Sequence, residues 1–444
     1  MKKLLCVILA LTIFLLSFSF VSCSSGTEID LDDYSIIIPE NADKTTQYCA
    51  ENFSNLIFEK TGTQLEIFTD DKRERKCEFL IGETNREESK TDASLENGEY
   101  LLFKKDKKLV MKGYGIYVGA SCGDLVNKYS TPSEGKLEIG NVPTEPTVFE
   151  YTPEQIYTSV IFMIGDGMGD NHIKMAEGQK GFSFVAKSFP YSGISVTRSL
   201  SVINKEATAT DSAASGTAMS TGYKTINGYI GLNKDLGVIK NVRELAYGNG
   251  AKTGVITTDV ITGATPCAYM CHSVSRDSTE ELEAQINALV SGGLIDYCAG
   301  DVANELTSHT KNALKSLSDS SDFFLMIEEG QIDKRSHERD KQGVVDTVVR
   351  FNDTIEYATQ FALCHPSVAL IVTADHETGN LVETLPGKFY FSSYNHSNKD
   401  VSIFAIGAGT SAFNGERIEN TTLAQFCARA YSTEPFGDST AYEK

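Results

Sequence analysis

Short apolar runs and longer segments with helical spacing alternate along the second half of this chain. The apolar runs lie at 160–164, 254–256, 323–327, 369–372 and 401–406. They are apolar on both faces, which is typical of strands in a parallel sheet that helices cover on each side. One helix face is formed by Val344, Val348, Phe351, Ile355, Ala358 and Ala362. This alternation predicts an α/β fold with a doubly wound, mostly parallel sheet.

The first half of the chain predicts a separate small α/β domain. A strand at 35–39 precedes a helix at 44–59, and further strands are expected at 66–68, 79–81, 100–103 and 109–111. This pattern resembles the small α/β domain that precedes the catalytic barrel of some glycoside hydrolases. A turn-rich stretch at 140–146 predicts a linker. We therefore expect an accessory domain at 34–143 and a catalytic domain at 150–444.

The first 33 residues predict export. Lys2 and Lys3 precede an apolar run at 4–20, the pattern of a signal peptide at 1–22. The Val-Ser-Cys-Ser segment at 21–24 resembles a bacterial lipobox, in which Cys23 would carry lipid ahead of a polar tether at 23–33. A plain signal peptide and a retained membrane helix are the alternatives, although the run is short for a span of about 20 residues. We expect a periplasmic or cell-surface protein, anchored only through this lipid.

Composition narrows the range of partners. The chain has 444 residues, of which 41% are hydrophobic, and a formal net charge of −20. A protein this acidic is a poor candidate for binding nucleic acid or anionic lipid. If Cys6 leaves with the signal peptide and Cys23 carries lipid, eight of the ten cysteines remain available for disulfides, and the sequence does not define their pairing. Cys267 and Cys271 lack companions at metal-site spacing, so we interpret them as structural or free thiols.

Acids and a histidine follow three of the predicted strands. Asp166 lies between glycines after the run 160–164, Glu328 follows the run 323–327, and Asp375 with His376 follows the run 369–372. Because the carboxyl ends of parallel strands meet at one edge of a sheet, we expect these side chains to converge. Each segment alone would be interpreted as an ordinary strand-end turn, so the argument depends on the whole set.

Further candidates lie outside the strand ends. Ser212 begins a run of small residues, where a helix N-terminus would favour an anion such as phosphate, although a plain helix cap is the alternative. A serine hydroxyl is a weak nucleophile until a base or a metal activates it. Asp333 and His337 are four residues apart, so on a helix they share a face and could bind one ion or form a surface pair. His396 precedes the last apolar run.

In this order, these segments resemble the alkaline phosphatase family. The matching motifs are Gly165-Asp166-Gly167-Met168-Gly169, Asp211-Ser212-Ala213-Ala214, Gly263-Ala264-Thr265-Pro266 with Arg276, Ile332-Asp333 with His337, Thr373-Ala374-Asp375-His376, and His396. They span residues 158–410, which is most of the catalytic region. The resemblance implies a phosphoric monoester hydrolase that forms a phosphoserine on Ser212 and releases inorganic phosphate.

The resemblance also implies two zinc ions and one magnesium ion. By this likeness the first zinc would be held by Asp333, His337 and His396, the second zinc by Asp166, Asp375 and His376 with Ser212, and the magnesium by Asp166, Thr265 and Glu328 with waters. Arg276 would hold two oxygens of the phosphate. Histidine with carboxylate is a ligand set that suits zinc, and an all-oxygen set suits magnesium.

Position 263 departs from the family pattern, whereas Lys334 follows Asp333 as in some bacterial members. Gly263 stands where relatives often carry an acid or a histidine near the magnesium, and Lys334 is therefore expected to lack an acidic partner. This leaves the affinity and identity of the third metal open, while the two-zinc chemistry stays intact. The catalytic region has little room for the long insertions that some relatives use at dimer contacts, so a homodimer is also left open.

Other functions stay open on the same scaffold: a phosphodiesterase, a phosphomutase or a sulfatase. A sulfatase would need a Cys/Ser-x-Pro-x-Arg setting, whereas Ser212 is followed by Ala-Ala-Ser. A serine nucleophile with Arg276 favours monoesters, because a planar guanidinium matches two phosphate oxygens. A noncatalytic, glycan-binding surface protein is the alternative of a different class, and the complete set of metal ligands speaks against it.

Overall fold

Two sheets organise this protein, one in each half of the chain. The computed structural model describes residues 26–319 and 322–438, so the predicted signal peptide and Cys23 lie outside the described residues. Among the helices in these two ranges, none combines the length and apolarity that a bilayer crossing requires. Every strand and helix predicted above is present, with ends within two residues of those expected.

The N-terminal region consists of a six-stranded sheet, a three-stranded sheet and two helices. In chain order the elements are β1 (Thr27–Asp30), β2 (Ser35–Ile38), α1 (Lys44–Thr61), β3 (Ile67–Thr69), β4 (Glu78–Ile81), β5 (Glu99–Lys105), β6 (Lys108–Gly113), α2 (Val118–Asn127), β7 (Ser130–Ser133), β8 (Lys136–Ile139) and β9 (Thr147–Glu150). The larger sheet has the order β3-β2-β4-β6-β5-β9, and the smaller has the order β1-β8-β7.

Two segments of the N-terminal region differ from the sequence-based expectation. Residues 27–33, expected in the tether, form β1 and a 3₁₀ turn, because Ile29 and Leu31 are buried in the core of this region. Residues 147–150, expected after the linker, form β9, which pairs antiparallel with β5. The chain therefore crosses into the C-terminal region only after residue 150.

The C-terminal region is built on an eight-stranded sheet with helices on both faces. The strands of the C-terminal region, eight of which form this sheet, are β10 (Ser159–Gly165), β11 (Tyr191–Val196), β12 (Lys252–Thr257), β13 (Tyr297–Ala299), β14 (Phe323–Glu329), β15 (Val368–Thr373), β16 (Glu377–Thr378), β17 (Leu381–Leu385), β18 (Lys388–Phe391), β19 (His396–Ser397), β20 (Val401–Gly407) and β21 (Arg417–Glu419). Its helices are α3 (Asp170–Lys180), α4 (Leu200–Ile203), α5 (Ser212–Thr221), α6 (Val242–Gly248), α7 (Ala264–Ala268), α8 (Thr279–Ser291), α9 (Leu306–Leu317), α10 (Gln331–His337), α11 (Lys341–Cys364) and α12 (Thr421–Ala428).

The large sheet has the order β13-β12-β14-β10-β15-β20-β11-β21. Its first five strands are mutually parallel, as predicted, whereas β20 runs antiparallel to β15 and to β11. Along β10, Ile161 and Met163 face one core with α11, and Phe162 and Ile164 face a second core with α5 and α7. The burial of both faces explains why these strands are apolar throughout, and the α/β fold predicted from sequence is confirmed.

The two regions are joined by close packing of α1 and α2 against α11. Gly119 and Gly123 lie one turn apart on α2, and a Cβ at Gly123 would come within 2.5 Å of the carbonyl oxygen of Leu363. The missing side chains let the two helix backbones approach closely. The Gln360 side chain on α11 then donates a hydrogen bond of 2.9 Å to the carbonyl of Ile116. The core around α11 is therefore shared between the two regions.

The eight cysteines in the described ranges are all free thiols, and seven of them are buried. The Sγ atoms of Cys49 and Cys122 lie 3.4 Å apart between α1 and α2. Cys267 and Cys271 are packed in the core beneath the large sheet, as expected of structural or free thiols.

Candidate active site

The predicted strand-end acids meet at the carboxyl edge of the large sheet. Ile164 on β10 pairs with Glu328 on β14 and with Thr373 on β15. Asp166 and Asp375 each lie two residues beyond these paired positions, so they lie side by side just after the ends of two adjacent strands. The register of three parallel strands therefore produces the convergence that the sequence predicts.

An inner cluster is formed by Asp166, Asp375 and His376, all of them buried. The Nε2 atom of His376 lies 3.1 Å from Oδ2 of Asp375 and 3.6 Å from Oδ1 of Asp166. The Oγ atom of Ser212 lies 3.2 Å from the same Nε2 atom. The hydroxyl predicted as the nucleophile is thus part of this buried group.

The position of Ser212 is determined by helix α5, of which it is the first residue. Asp211 caps the helix, because its Oδ1 accepts a hydrogen bond of 3.0 Å from the backbone N–H of Ala214. The other oxygen of Asp211 accepts from the backbone N–H of Gly228 at 2.9 Å and pairs with the guanidinium of Arg276 at 3.3 Å. One carboxylate therefore fixes both the serine and the arginine.

An outer cluster is formed by Asp333, His337 and His396. Asp333 and His337 lie on one face of α10, as predicted, and His396 comes from β19. The Nε2 atoms of the two histidines are 3.1 Å apart, and they lie 3.3 and 3.4 Å from the carboxylate oxygens of Asp333. The ring of His396 stacks on that of His376 with centroids 3.6 Å apart, so the two clusters adjoin.

Oxygen donors lie on the other side of Asp166. The hydroxyl of Thr265, on α7, donates to Oδ2 of Asp166 at 3.4 Å. Glu328 is buried at the end of β14 and accepts a hydrogen bond from the hydroxyl of Thr257. These residues form an oxygen-donor site, which we define as Asp166, Thr265 and Glu328.

Burial and mutual repulsion act on the acids at this edge. Burial, and then the charges of Asp375, Asp333 and Glu328, raises the pKa of Asp166 well above its usual value. Burial likewise raises the pKa of Asp375 to about 6 and that of Glu328 to about 8. The surrounding protein groups therefore do not compensate the negative charge of these three acids.

The histidines around Asp333 have the opposite effect. Burial alone would raise the pKa of Asp333, but hydrogen bonds from His337 and His396 outweigh it and lower the pKa well below its usual value. Burial lowers the pKa of His376 well below its usual value, and the neighbouring His396 adds to this effect. Asp333 is thus held as a carboxylate and His376 as a neutral imidazole, which are the forms that bind cations.

The donor atoms fit divalent cations. Oδ1 of Asp166 and Oδ2 of Asp375 are buried without a hydrogen-bond partner in the described part of the chain, which is costly unless a cation binds them. The Nδ1–H groups of His396 and His337 donate to the backbone carbonyls of Thr210, at 2.8 Å, and Tyr394. This leaves each Nε2 with its lone pair directed at the cluster, a usual arrangement for metal-binding histidines.

One sequence-based expectation about this site is wrong. Lys334 does not lack an acidic partner, because its ammonium group forms an ion pair with Asp259. Asp259 is 75 residues away in sequence and follows the end of β12, as Asp166 follows the end of β10. The strand-end pattern that identified the other acids could therefore have identified Asp259 as well.

Comparison with known proteins connects this arrangement to one family. A family model described as alkaline phosphatase matches residues 157–305 and 298–388. Alkaline phosphatase 4 of Bacillus subtilis is 28% identical over 329 residues, which cover 60% of this chain and 67% of that protein. Alkaline phosphatase of Escherichia coli is 37% identical over 144 residues, which cover 30% of this chain and only 31% of that protein.

Solved structures agree with these matches. The alkaline phosphatase of the Antarctic bacterium TAB5 superposes with a TM-score of 0.57 at 26% identity, covering 63% of this chain and 98% of that protein. A mutant of the same TAB5 protein, with a TM-score of 0.55, has been solved with Mg bound in its M3 site. The N-terminal region of the present chain lies outside the residues matched by the family model.

Proposed function

Since this chain belongs to the alkaline phosphatase family, we propose that it hydrolyses phosphate monoesters through a covalent phosphoserine on Ser212. The observation that carries the proposal is the position of the Ser212 hydroxyl. Its Oγ lies 3.2 Å from His376 Nε2, in a buried group with Asp166 and Asp375, at the N-terminus of a ten-residue helix. A helix N-terminus favours the negative charge of a phosphate.

Arg276 supports a monoester substrate. Its guanidinium is held at one nitrogen by Asp211, and its side chain is 36% exposed, so other donors of its planar fork can reach a ligand. Such a fork matches two oxygens of a phosphate group, and a monoester has three nonbridging oxygens to offer. We propose that Arg276 orients the phosphorus towards Ser212.

We propose divalent cations at three positions: zinc at the inner cluster, zinc at the outer cluster and magnesium at the oxygen-donor site. When bound, they would supply the positive charge that lowers the pKa of the serine hydroxyl and stabilises the leaving oxygen. The unpaired oxygens of Asp166 and Asp375 support this assignment. The magnesium bound by the TAB5 mutant supports a third cation in this family.

We propose two successive bond changes at phosphorus. Ser212 Oγ loses its proton and forms a bond to phosphorus while the bond from phosphorus to the ester oxygen breaks, and this oxygen takes up a proton from water and departs as the alcohol on the side opposite the serine. Water then attacks phosphorus, the bond to Ser212 Oγ breaks, and inorganic phosphate is released. The net reaction consumes one ester and one water and restores the serine.

A matched pair of substrates tests this proposal. Purified protein supplied with zinc and magnesium should release p-nitrophenol from p-nitrophenyl phosphate between pH 7 and 11, and EDTA should abolish the turnover. The bis-ester should react far more slowly, because it has fewer charged oxygens for Arg276 and the cations. Faster turnover of the bis-ester would make the chain a phosphodiesterase, and bound metal without turnover of either ester would contradict an enzymatic role.

We also propose that the protein acts outside the cytoplasm. The charged and apolar pattern of residues 1–24 supports export with lipid on Cys23, although these residues lie outside the described ranges. Labelling of expressing cells with radioactive palmitate, with Cys23→Ala as control, would test the anchor. A homodimer is a second proposal, to be tested by sedimentation of the protein without its first 24 residues.

A further inference from the structure

The oxygen-donor site has an acidic neighbour, Asp259, that lies outside the motifs predicted from sequence. Asp259 follows the end of β12, and its backbone N–H donates to Thr257 Oγ at 2.9 Å. The hydroxyl of Thr257 in turn donates to Glu328, a member of the oxygen-donor site. Asp259 is thus connected to this site through a single threonine.

Gly263 provides the space that the Asp259 carboxylate occupies. A Cβ built at Gly263 would lie 3.1 Å from Oδ2 of Asp259 and 3.0 Å from the carbonyl oxygen of Val260. A Cβ at Gly330 would lie 3.0 Å from the Cβ of Asp259. Both glycines have a negative φ that any residue can adopt. They therefore contribute the space of a missing side chain and not backbone freedom.

The partner of Asp259 is a cation beside the metal clusters. Lys334 follows Asp333, a member of the outer cluster, and its ammonium group pairs with Asp259 Oδ1. An unpaired ammonium at this place would be attracted to the uncompensated acids of the sheet edge and would repel a divalent cation there. The ion pair with Asp259 neutralises this charge.

From these contacts we infer that Asp259 sets the magnesium affinity of the oxygen-donor site. Its carboxylate lies in the space left by Gly263 and neutralises the charge of Lys334 from there. This inference rests on the proposed function only in assuming that the oxygen-donor site binds magnesium. Asp259 acts here as a positioning residue, because it works through Lys334 and Thr257.

Magnesium binding, measured by equilibrium dialysis of protein already loaded with zinc, tests the inference without any turnover. Asp259→Asn should weaken magnesium binding roughly ten- to a hundredfold, the usual effect of removing a group that supports metal ligands. Zinc content and melting temperature should stay close to those of the parent. Asp235→Asn is the matched control, because it removes an acid paired with Lys234 on the exposed surface.

Two double variants separate this role from general damage to the site. Asp259→Asn with Lys334→Gln should recover most of the lost affinity, because the unpaired ammonium is gone. Asp259→Gly with Gly263→Asp should also recover affinity, whereas Gly263→Asp alone should not raise it, because two carboxylates would crowd one space.

The outcomes separate the two proposals. Magnesium bound equally by the parent and by Asp259→Asn would overturn the inference and leave the magnesium site standing. No recovery in either double variant would also overturn it, since the loss would then not depend on Lys334 or on the vacant space. A parent protein that binds zinc but no magnesium at millimolar concentration would overturn both the magnesium site and the role of Asp259.

Discussion

The inner and outer clusters use the same kinds of ligand but are anchored in different ways. Asp375 and His376 of the inner cluster follow a central strand, and their side chains are fully buried. In the outer cluster, His337 lies on the short helix α10 and its side chain is 38% exposed. Strand ends thus give a buried set of donors, while a helix and a two-residue strand give a set open to solvent.

This difference would suit two roles in the proposed phosphate transfer. The serine touches the inner cluster, where water has little access and charge interactions are strong. The outer cluster adjoins it through the stacked rings of His376 and His396 and faces solvent, where an alcohol can depart. This division of roles predicts distinct effects for substitutions in the two clusters.

Replacing the serine should have the largest effect. Ser212→Ala should lower kcat for p-nitrophenyl phosphate by about a thousandfold or more, because the covalent step has lost its nucleophile. Zinc and magnesium content should be retained. Ser220→Ala, on the same helix, removes a hydroxyl that donates to the backbone carbonyls of Ala268 and Thr217 and serves as control. Near-normal turnover in Ser212→Ala would place the nucleophile elsewhere and end the proposed division.

Acid should destabilise the protein through a buried histidine beneath the outer cluster. His172 Nε2 bonds Ser336 Oγ on α10 at 3.0 Å, and Nδ1 accepts from the N–H of Gly169 at 3.2 Å. Burial lowers the pKa of His172 from 6.5 to about 4. Between these values the unfolded chain binds the proton and the folded one does not, so stability is complete above pH 6.5 and is lost as pH falls towards 4.

The measurement is urea unfolding of metal-free protein at pH 7 and pH 4.5. The contribution of His172 to the loss over this range should be about 2 kcal/mol, since each pKa unit corresponds to about 1.4 kcal/mol and pH 4.5 stops short of the folded pKa. His172→Gln cannot titrate, so its free energy of unfolding should fall by less than that of the parent over this range. Equal losses in the two proteins would remove His172 as the cause.

Arg276→Ala tests a residue whose pKa responds to both clusters. Burial alone would lower the pKa of Arg276, but the charges of Asp211, Asp166 and Asp333 outweigh it and raise it, so the guanidinium stays charged. Its loss should weaken inhibition by inorganic phosphate roughly ten- to a hundredfold, the range for charged hydrogen bonds. Arg417→Ala removes an exposed arginine paired with Asp400 and should leave inhibition unchanged. Unaltered inhibition in Arg276→Ala would exclude it from the phosphate site.

The smallest effect should be a difference in metal release. A chelating indicator in excess should remove zinc in two phases about tenfold apart, because solvent reaches the outer cluster more easily. His337→Ala should abolish the faster phase and preserve the slower one. A single phase in the parent, or loss of the slower phase in His337→Ala, would contradict the assignment of the open site to the outer cluster.

Local patterns predicted much of the fold and of the site. The strand ends that carry Asp166 and Asp375, and the helix face shared by Asp333 and His337, follow from hydrophobic spacing within a few residues. The antiparallel direction of β20 was missed, because a buried strand has the same apolar pattern in either direction. The return of the chain to form β9 was missed because a four-residue edge strand gives a weak signal.

The side chains that follow the strand ends and helix starts could be predicted from the sequence, because those positions depend on local spacing and turn residues. Tertiary structure alone decided how these groups pair. Lys334 meets Asp259 across 75 residues of chain, and α2 packs on α11 through glycines that have no local signature of that contact. Such contacts depend on strand register and on the volume left between distant segments, and no short stretch of sequence contains either quantity.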